Sequence, residues 1–221
     1  MVKKDKFRQG LSRRIARIAP RPHMLIVCEG KVTESTYFKD FRRWERNQLV
    51  DVVVNDEAGV PKTLVERAAE LKKEAIRQAR RLRDEFHKYD EVWCVFDFDS
   101  HPNLPDALQQ ARDNGIEIAL SNPCFEVWIL LHYQDQRGHL ERDQAQRACR
   151  KHLPNYYKLV PFEELRAFYE DAVARATALE QWQIESGRRN GNPITRVHRL
   201  TERIRALGRE PTLQRLSYVV K

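Results

Sequence analysis

Acidic residues follow two apolar segments of this sequence, and their spacing predicts metal-dependent chemistry. Glu29 comes directly after an apolar run that ends at Cys28, and Asp97 and Asp99 close a later apolar run. Residues i and i+2 of an extended chain point to the same side, so Asp97 and Asp99 can face one point. Carboxylates that close together repel one another, whereas Mg²⁺ prefers carboxylates combined with water and substrate phosphate. We therefore predict a Mg²⁺ site, which Mn²⁺ also fits, of the kind that hydrolyses phosphodiester bonds.

The elements that would position these carboxylates alternate between strand and helix. Apolar runs predict strands at 23–28, 50–54, 91–97 and 116–120, and helical spacing predicts helices from Thr33 to Trp44, at 62–88 and at 103–114. This order is typical of an α/β fold with a four-stranded, mainly parallel sheet flanked by helices. Helical patterns at about 125–133, 141–152, 161–185 and 194–207 predict a C-terminal α-helical extension. We therefore expect a basic arm at 1–22, an α/β core at 23–134 and an α-helical extension packed on it at 135–221.

Another acidic residue follows the fourth predicted strand, in the segment Ser121-Asn-Pro-Cys-Phe-Glu126. Functional groups of open parallel sheets gather beyond the carboxyl ends of the strands. Glu126 can therefore converge with the earlier carboxylates on one crevice. The structural alternative is that these acidic residues only cap strand ends and helix starts.

The net charge of +8 is divided unevenly along the chain. Residues 1–22 carry +7 and residues 186–221 carry +7, whereas residues 23–185 carry −6. Basic ends of this kind attract polyanions, so we expect a nucleic-acid partner. The alternative is a basic tail that only aids solubility.

The sequence predicts neither a membrane span nor a secretory signal. No window approaches about 18 uncharged apolar residues, and no apolar stretch follows the basic N-terminal residues. We expect a cytoplasmic protein. The four cysteines have no zinc-like spacing and are expected to be small apolar residues near the strand ends: Cys28, Cys94, Cys124 and Cys149.

Four strings of residues resemble the RloB-like family, within the broader group of Toprim-fold proteins. Glu29-Gly30 after one strand and Asp97-x-Asp99 after a later one are similar to the Toprim pattern. The closer resemblance covers about residues 23–205 and lies in the segments Ile26–Glu34, Phe96–Asp99, Ser121–His132 and Asn192-Pro-x-Thr195-x-x-His198.

This resemblance implies a Mg²⁺-dependent Toprim nuclease that acts in antiviral defence, often beside an ABC-type ATPase. By the Toprim pattern, Glu29 would be the general acid/base or a metal ligand, and Asp97 and Asp99 would be metal ligands. Glu126 would be a further ligand or a water-orienting residue. The chain has no glycine-rich nucleotide loop of its own, so nucleotide sensing would come from an ABC/AAA-type ATPase partner.

Residues around the first strand end are candidates for supporting roles. Gly30 is expected to leave room for metal or phosphate, because a side chain would crowd their approach. Lys31 could contact the scissile phosphate or could simply be solvated. Glu34 follows Thr33, the predicted N-cap, and could serve either the helix dipole or the metal site.

The remaining candidates lie in the second half of the chain. Asn122 could contact substrate or only cap the following helix. His132 could support the site, although a core or surface histidine is the simpler interpretation. Four arginines fit phosphate contacts better than structural roles: Arg188, Arg189, Arg196 and Arg199.

Three functions remain open from the sequence. The first is a metal-dependent endonuclease acting on RNA or DNA, with structured RNA such as tRNA favoured by analogy with other Toprim defence effectors. The second is a non-catalytic nucleic-acid-binding or regulatory subunit of an ATPase complex. The third, nucleotidyl transfer of the primase type, uses the same metal geometry, but no template module is recognisable.

Overall fold

The computed structural model describes residues 22–55, 60–98, 104–154, 156–157 and 159–209. Residues 1–21 of the predicted basic arm, Asp99 and the basic residues after 209 lie outside the described residues. The strands are β1 (Met24–Cys28), β2 (Val50–Val54), β3 (Glu91–Asp97), β4 (Glu117–Asn122) and β5 (Ile194–Thr195). The helices are α1 (Thr33–Trp44), α2 (Pro61–Leu82), α3 (Leu104–Asp113), α4 (Glu126–Leu131), α5 (Arg142–His152), α6 (Phe162–Leu165), α7 (Tyr169–Glu185) and α8 (Val197–Arg209).

The described strands form one sheet in the order β2-β1-β3-β4-β5. The pairs β1–β2, β1–β3 and β3–β4 are parallel, which confirms the predicted α/β class with a mainly parallel sheet. The predicted count of four strands was one too low, because β5 pairs antiparallel with β4. A strand of two residues is too short to show any periodicity in the sequence.

Strand β1 is buried on both faces, and its alternating side chains divide the core into two layers. Met24, Ile26 and Cys28 belong to one apolar cluster, with side chains from α1 and from α4 to α8. Leu25 and Val27 belong to the other cluster, with side chains from α2 and α3. A strand covered on both faces is expected to be continuously apolar, as this one is.

The described helices agree with the predicted periodicity, with differences at their ends. Helix α2 stops at Leu82, where Arg83 adopts a left-handed conformation with φ of 55°, so the predicted helix to residue 88 was too long. Val32, and not Thr33, occupies the N-cap of α1, and no side chain caps it. All four cysteines are buried and free, as expected. None of the described helices has the length and apolar character that a membrane span needs.

Candidate functional site

The first two candidate carboxylates lie at the ends of neighbouring strands. The backbone N–H of Glu29, directly after β1, donates to the carbonyl oxygen of Val95 in β3 at 3.0 Å. Asp97 is the last residue of β3. The chain moves from β1 to β2 on one side and then crosses to β3 on the other, so the strand order reverses between β1 and β3. Such a switch point at the carboxyl edge of a sheet is where α/β proteins form their binding crevice.

Glu34 returns to this edge from the first turn of α1. Its side chain lies against the turn that follows β1, because a Cβ atom at Gly30 would lie 1.6 Å from Glu34 Oε2. Any larger residue at position 30 would have to displace the Glu34 carboxylate. Gly30 therefore makes room for a carboxylate, whereas the sequence predicted room for metal or phosphate.

Glu126 begins α4 and is held from two sides. The Tyr156 hydroxyl donates to Glu126 Oε1 at 3.0 Å, and the Cys149 thiol donates to the Glu126 carbonyl oxygen at 3.5 Å. The side chain of Thr33, at the start of α1, lies near the Tyr156 hydroxyl and offsets part of the rise that burial causes in the pKa of Tyr156. These contacts join α1, α4 and the segment after α5 at the same edge of the sheet.

The carboxylates at this edge lie close enough to perturb one another. Burial raises the pKa of Asp97 well above its usual range, and the charges of Glu34, Glu126 and Glu29 raise it further, against a lowering by Arg142. Burial also raises the pKa of Glu34 to about 7, and the charges of Glu126 and Glu29 add to the increase. Four acidic side chains therefore share one electrostatic environment: Glu29, Glu34, Asp97 and Glu126.

Arg142 is a member of this site that the sequence analysis missed. Its Nη1 donates to Asp97 Oδ2 at 2.9 Å, and the Asp97 side chain is 12% exposed. Arg142 lies at the start of α5, 45 residues along the chain from Asp97. No local signal separates it from the other arginines of α5, because the contact depends on how α5 packs against the sheet.

The donor set fits a hard divalent cation in its chemistry. Clustered carboxylates with raised pKa values are stabilised by a divalent charge, and carboxylate oxygens are the ligands that Mg²⁺ prefers. Within the described residues, however, no three His, Cys, Asp or Glu side chains are grouped in a way that could hold a metal ion. Of the predicted ligands Glu29, Asp97 and Asp99, Asp99 lies outside the described residues. Glu29 and Asp97 are the described residues that would hold such an ion.

The other candidates near the strand ends take different positions. Lys31 is exposed on the loop after β1. The side-chain amide of Asn122 donates to the carbonyl oxygen of Asn190 at 2.8 Å. Asn122 therefore holds the loop before β5 and does not cap α4. His132 is buried in the core, where its Nδ1 lies 2.9 Å from the Trp128 carbonyl oxygen. Burial lowers the pKa of His132 to about 4, as expected for a core histidine kept neutral.

Two of the four candidate arginines are occupied by structural contacts that the sequence analysis did not predict. Arg196 Nε and Arg199 Nε donate to the two carboxylate oxygens of Glu180, at 2.7 and 2.8 Å. Arg188 instead lies over the ring of Trp182, with 4.8 Å between the guanidinium carbon and the ring centroid. Arg189 is exposed. Phosphate contact by any of the four stays a prediction.

A mostly parallel sheet with acidic residues at its carboxyl edge defines an α/β protein of the Toprim-like class. The sequence model of the RloB-like protein family matches residues 24–204, so this chain belongs to that family. The resemblance found in the sequence is thereby confirmed. No curated protein and no solved structure matches the chain significantly.

Proposed function

We propose that this protein is a cytoplasmic, Mg²⁺-dependent endonuclease that hydrolyses phosphodiester bonds in nucleic acid, with RNA such as tRNA favoured over DNA. The observation that supports it is the mutual charge repulsion of the acidic side chains at the β1–β3 switch point. Such an arrangement costs stability unless a cation occupies it, and perturbed carboxylates at a cleft are typical of catalytic sites. Membership of the RloB-like family supports the same activity.

The proposed roles of the residues are those that the Toprim pattern implies. When bound, Mg²⁺ supplies a Lewis acid that activates water and stabilises charge on the reacting phosphate. Asp97 and Asp99 hold the ion, and Glu29 either completes its ligands or exchanges the proton of the attacking water. Glu126, fixed by Tyr156, orients water at the same edge. Mn²⁺ is expected to replace Mg²⁺, because it accepts the same oxygen ligands.

The proposal includes a biological role for this activity. We propose an antiviral defence role in which an ABC/AAA-type ATPase partner controls the nuclease. The basic segments at both ends of the chain supply charge for the nucleic-acid backbone. The alternative is a non-catalytic subunit of the same kind of complex, whose function would not require the carboxylates.

A cleavage assay tests the proposal. The wild-type protein, Asp97→Asn and Asp135→Asn are incubated with tRNA, single-stranded RNA and plasmid DNA, in Mg²⁺, Mn²⁺ or EDTA. Asp135 is an exposed aspartate after α4 and serves as the matched control. We expect metal-dependent cleavage by the wild type and Asp135→Asn, a loss of at least about 100-fold in Asp97→Asn, and binding retained by all three. Cleavage that persists in a folded Asp97→Asn protein would remove this site from the mechanism. Cleavage by none of them favours either a missing activating partner or the non-catalytic subunit.

A further inference from the structure

A pocket of about 260 Å³ adjoins the acidic edge of the sheet. Its walls come from α4, from α5 and from the segment that follows α5: Glu126, Gln146, Arg150, Tyr156 and Tyr157. Glu126 belongs to both the pocket and the group of mutually repelling carboxylates, since its charge raises the pKa values of Asp97 and Glu34. Whatever occupies the pocket therefore lies beside the proposed catalytic site.

The two tyrosines of this pocket differ in what they do. Tyr156 is buried, and its hydroxyl donates to Glu126. Tyr157 is 79% exposed, the highest exposure among the large apolar and aromatic side chains of the described residues. An aromatic ring that stands in water beside a pocket offers a face for stacking, and nucleic-acid bases stack on such rings with little regard to sequence.

The polar groups of the pocket select the kind of ligand. The buried Glu126 carboxylate repels phosphate from the inner part, and it accepts hydrogen bonds from the amino or imino groups of a base. The side-chain amide of Gln146 offers both a donor and an acceptor to a base edge. Arg150, which is exposed, is placed for stacking or for an adjoining phosphate. The inner part thus suits an uncharged planar heterocycle, and the outer part suits the anionic backbone.

We propose that this pocket holds one unpaired base next to the scissile phosphate, stacked on Tyr157. This inference rests on the proposed function for the identity of the neighbouring phosphate. A base inside a duplex cannot enter such a pocket unless it leaves the stack, so the protein binds single-stranded segments, loops or ends in preference to duplex.

The test measures base stacking without cleavage. The full chain, in EDTA, is titrated into a single-stranded oligonucleotide that carries the fluorescent base 2-aminopurine, and into the same strand annealed to its complement. The variants are Tyr157→Ala, Tyr157→Phe and Arg150→Ala. The matched controls are Phe86→Ala, an exposed aromatic residue before β3, and Arg147→Ala, an exposed arginine of α5 that does not line the pocket.

The expected result is quenching of 2-aminopurine by the wild type in the single strand and much weaker binding to the duplex. Tyr157→Ala should lose the quenching and weaken single-strand binding by roughly tenfold, whereas Tyr157→Phe should retain both. Arg150→Ala should weaken binding more than Arg147→Ala, and Phe86→Ala should behave as the wild type. Unchanged quenching in Tyr157→Ala, or equal binding to duplex and single strand, would overturn the proposal.

The same variants separate this inference from the proposed function. If the wild type cleaves in a metal-dependent manner but Tyr157→Ala quenches and binds as the wild type does, the pocket proposal fails and the nuclease stands. If Tyr157 governs quenching but neither the wild type nor any variant cleaves, the base pocket stands and the nuclease is left without support.

Discussion

Two groups of buried acidic residues in this protein have opposite electrostatic surroundings. Glu180 in α7 is 4% exposed and is surrounded by Arg196, Arg199 and His198. Burial alone would raise the pKa of Glu180, but hydrogen bonds from His198 and Arg196 and the charges of both arginines lower it to about 2. At the carboxyl edge of the sheet, by contrast, burial and neighbouring carboxylates raise the pKa values of Asp97 and Glu34.

This difference is the one we expect between a structural carboxylate and the carboxylates proposed to be functional. The charge of Glu180 is compensated within the chain, so the cluster joins α7 to the start of α8 and the loop before it. At the strand ends the pKa of Asp97 stays raised although Arg142 lowers it, and carboxylates that repel one another cost stability. A bound cation, as proposed above, would remove that cost.

The largest expected effect comes from removing the charge of Glu180. Glu180→Gln removes the charge that Arg196 and Arg199 share, and the half-buried Arg196 loses its counter-charge. We expect the free energy of unfolding at pH 7 to fall by about 3 kcal/mol in urea denaturation. Glu163→Gln, which breaks an exposed pair with Arg166, is the control and should change it by less than about 1 kcal/mol. Equal small effects would mean that the Glu180 cluster is not structural.

The second effect, at Glu34, has the opposite sign, because we expect the substitution to raise the free energy of unfolding. The pKa of the Glu34 carboxyl is raised from 4.5 to about 7 in the folded protein, so the folded state binds this proton more tightly than the unfolded state does. The stability that this proton contributes is fully present below about pH 4.5 and is lost as the pH rises through about 7. Glu34→Gln should therefore raise the free energy of unfolding by about 2 kcal/mol at pH 8 in EDTA, and by much less at pH 4.5.

The exposed Glu74 of α2 provides the control for this measurement. Glu74→Gln should change the free energy of unfolding little at either pH. A Glu34→Gln protein that is less stable than the wild type at pH 8 would contradict the charge repulsion inferred for the strand ends.

The smallest expected effect comes from Arg142, whose charge opposes the repulsion between Asp97 and its acidic neighbours. Arg142→Gln removes a charge that lowers the pKa of Asp97, so repulsion at the strand ends should increase. We expect a loss of about 1 kcal/mol at pH 8 in EDTA, which Mg²⁺ reverses, and no such loss for Arg147→Gln on the same helix. A loss that Mg²⁺ does not reverse would mean that Arg142 stabilises the fold independently of the metal site.

The fold and part of the site follow from sequence because their signals are local. The apolar runs located β2 at residues 50–54 and β3 at residues 91–97, and the rule for parallel sheets then placed Glu29 and Asp97 at one edge. The sequence could not assign Arg196 and Arg199 to Glu180, because the partner lies on another helix. Tyr156 was missed for the same reason, since its contact with Glu126 depends on how the segment after α5 packs.

Mn²⁺ binding tests most directly whether the strand ends form a metal site. It is measured as the loss of the free-ion signal in electron paramagnetic resonance. The wild type, Asp97→Asn and the control Asp135→Asn are titrated at pH 8 without nucleic acid. We expect the wild type and Asp135→Asn to bind Mn²⁺ alike, and Asp97→Asn to bind it at least about tenfold more weakly. Equal Mn²⁺ binding by all three folded proteins would contradict a metal site at the strand ends.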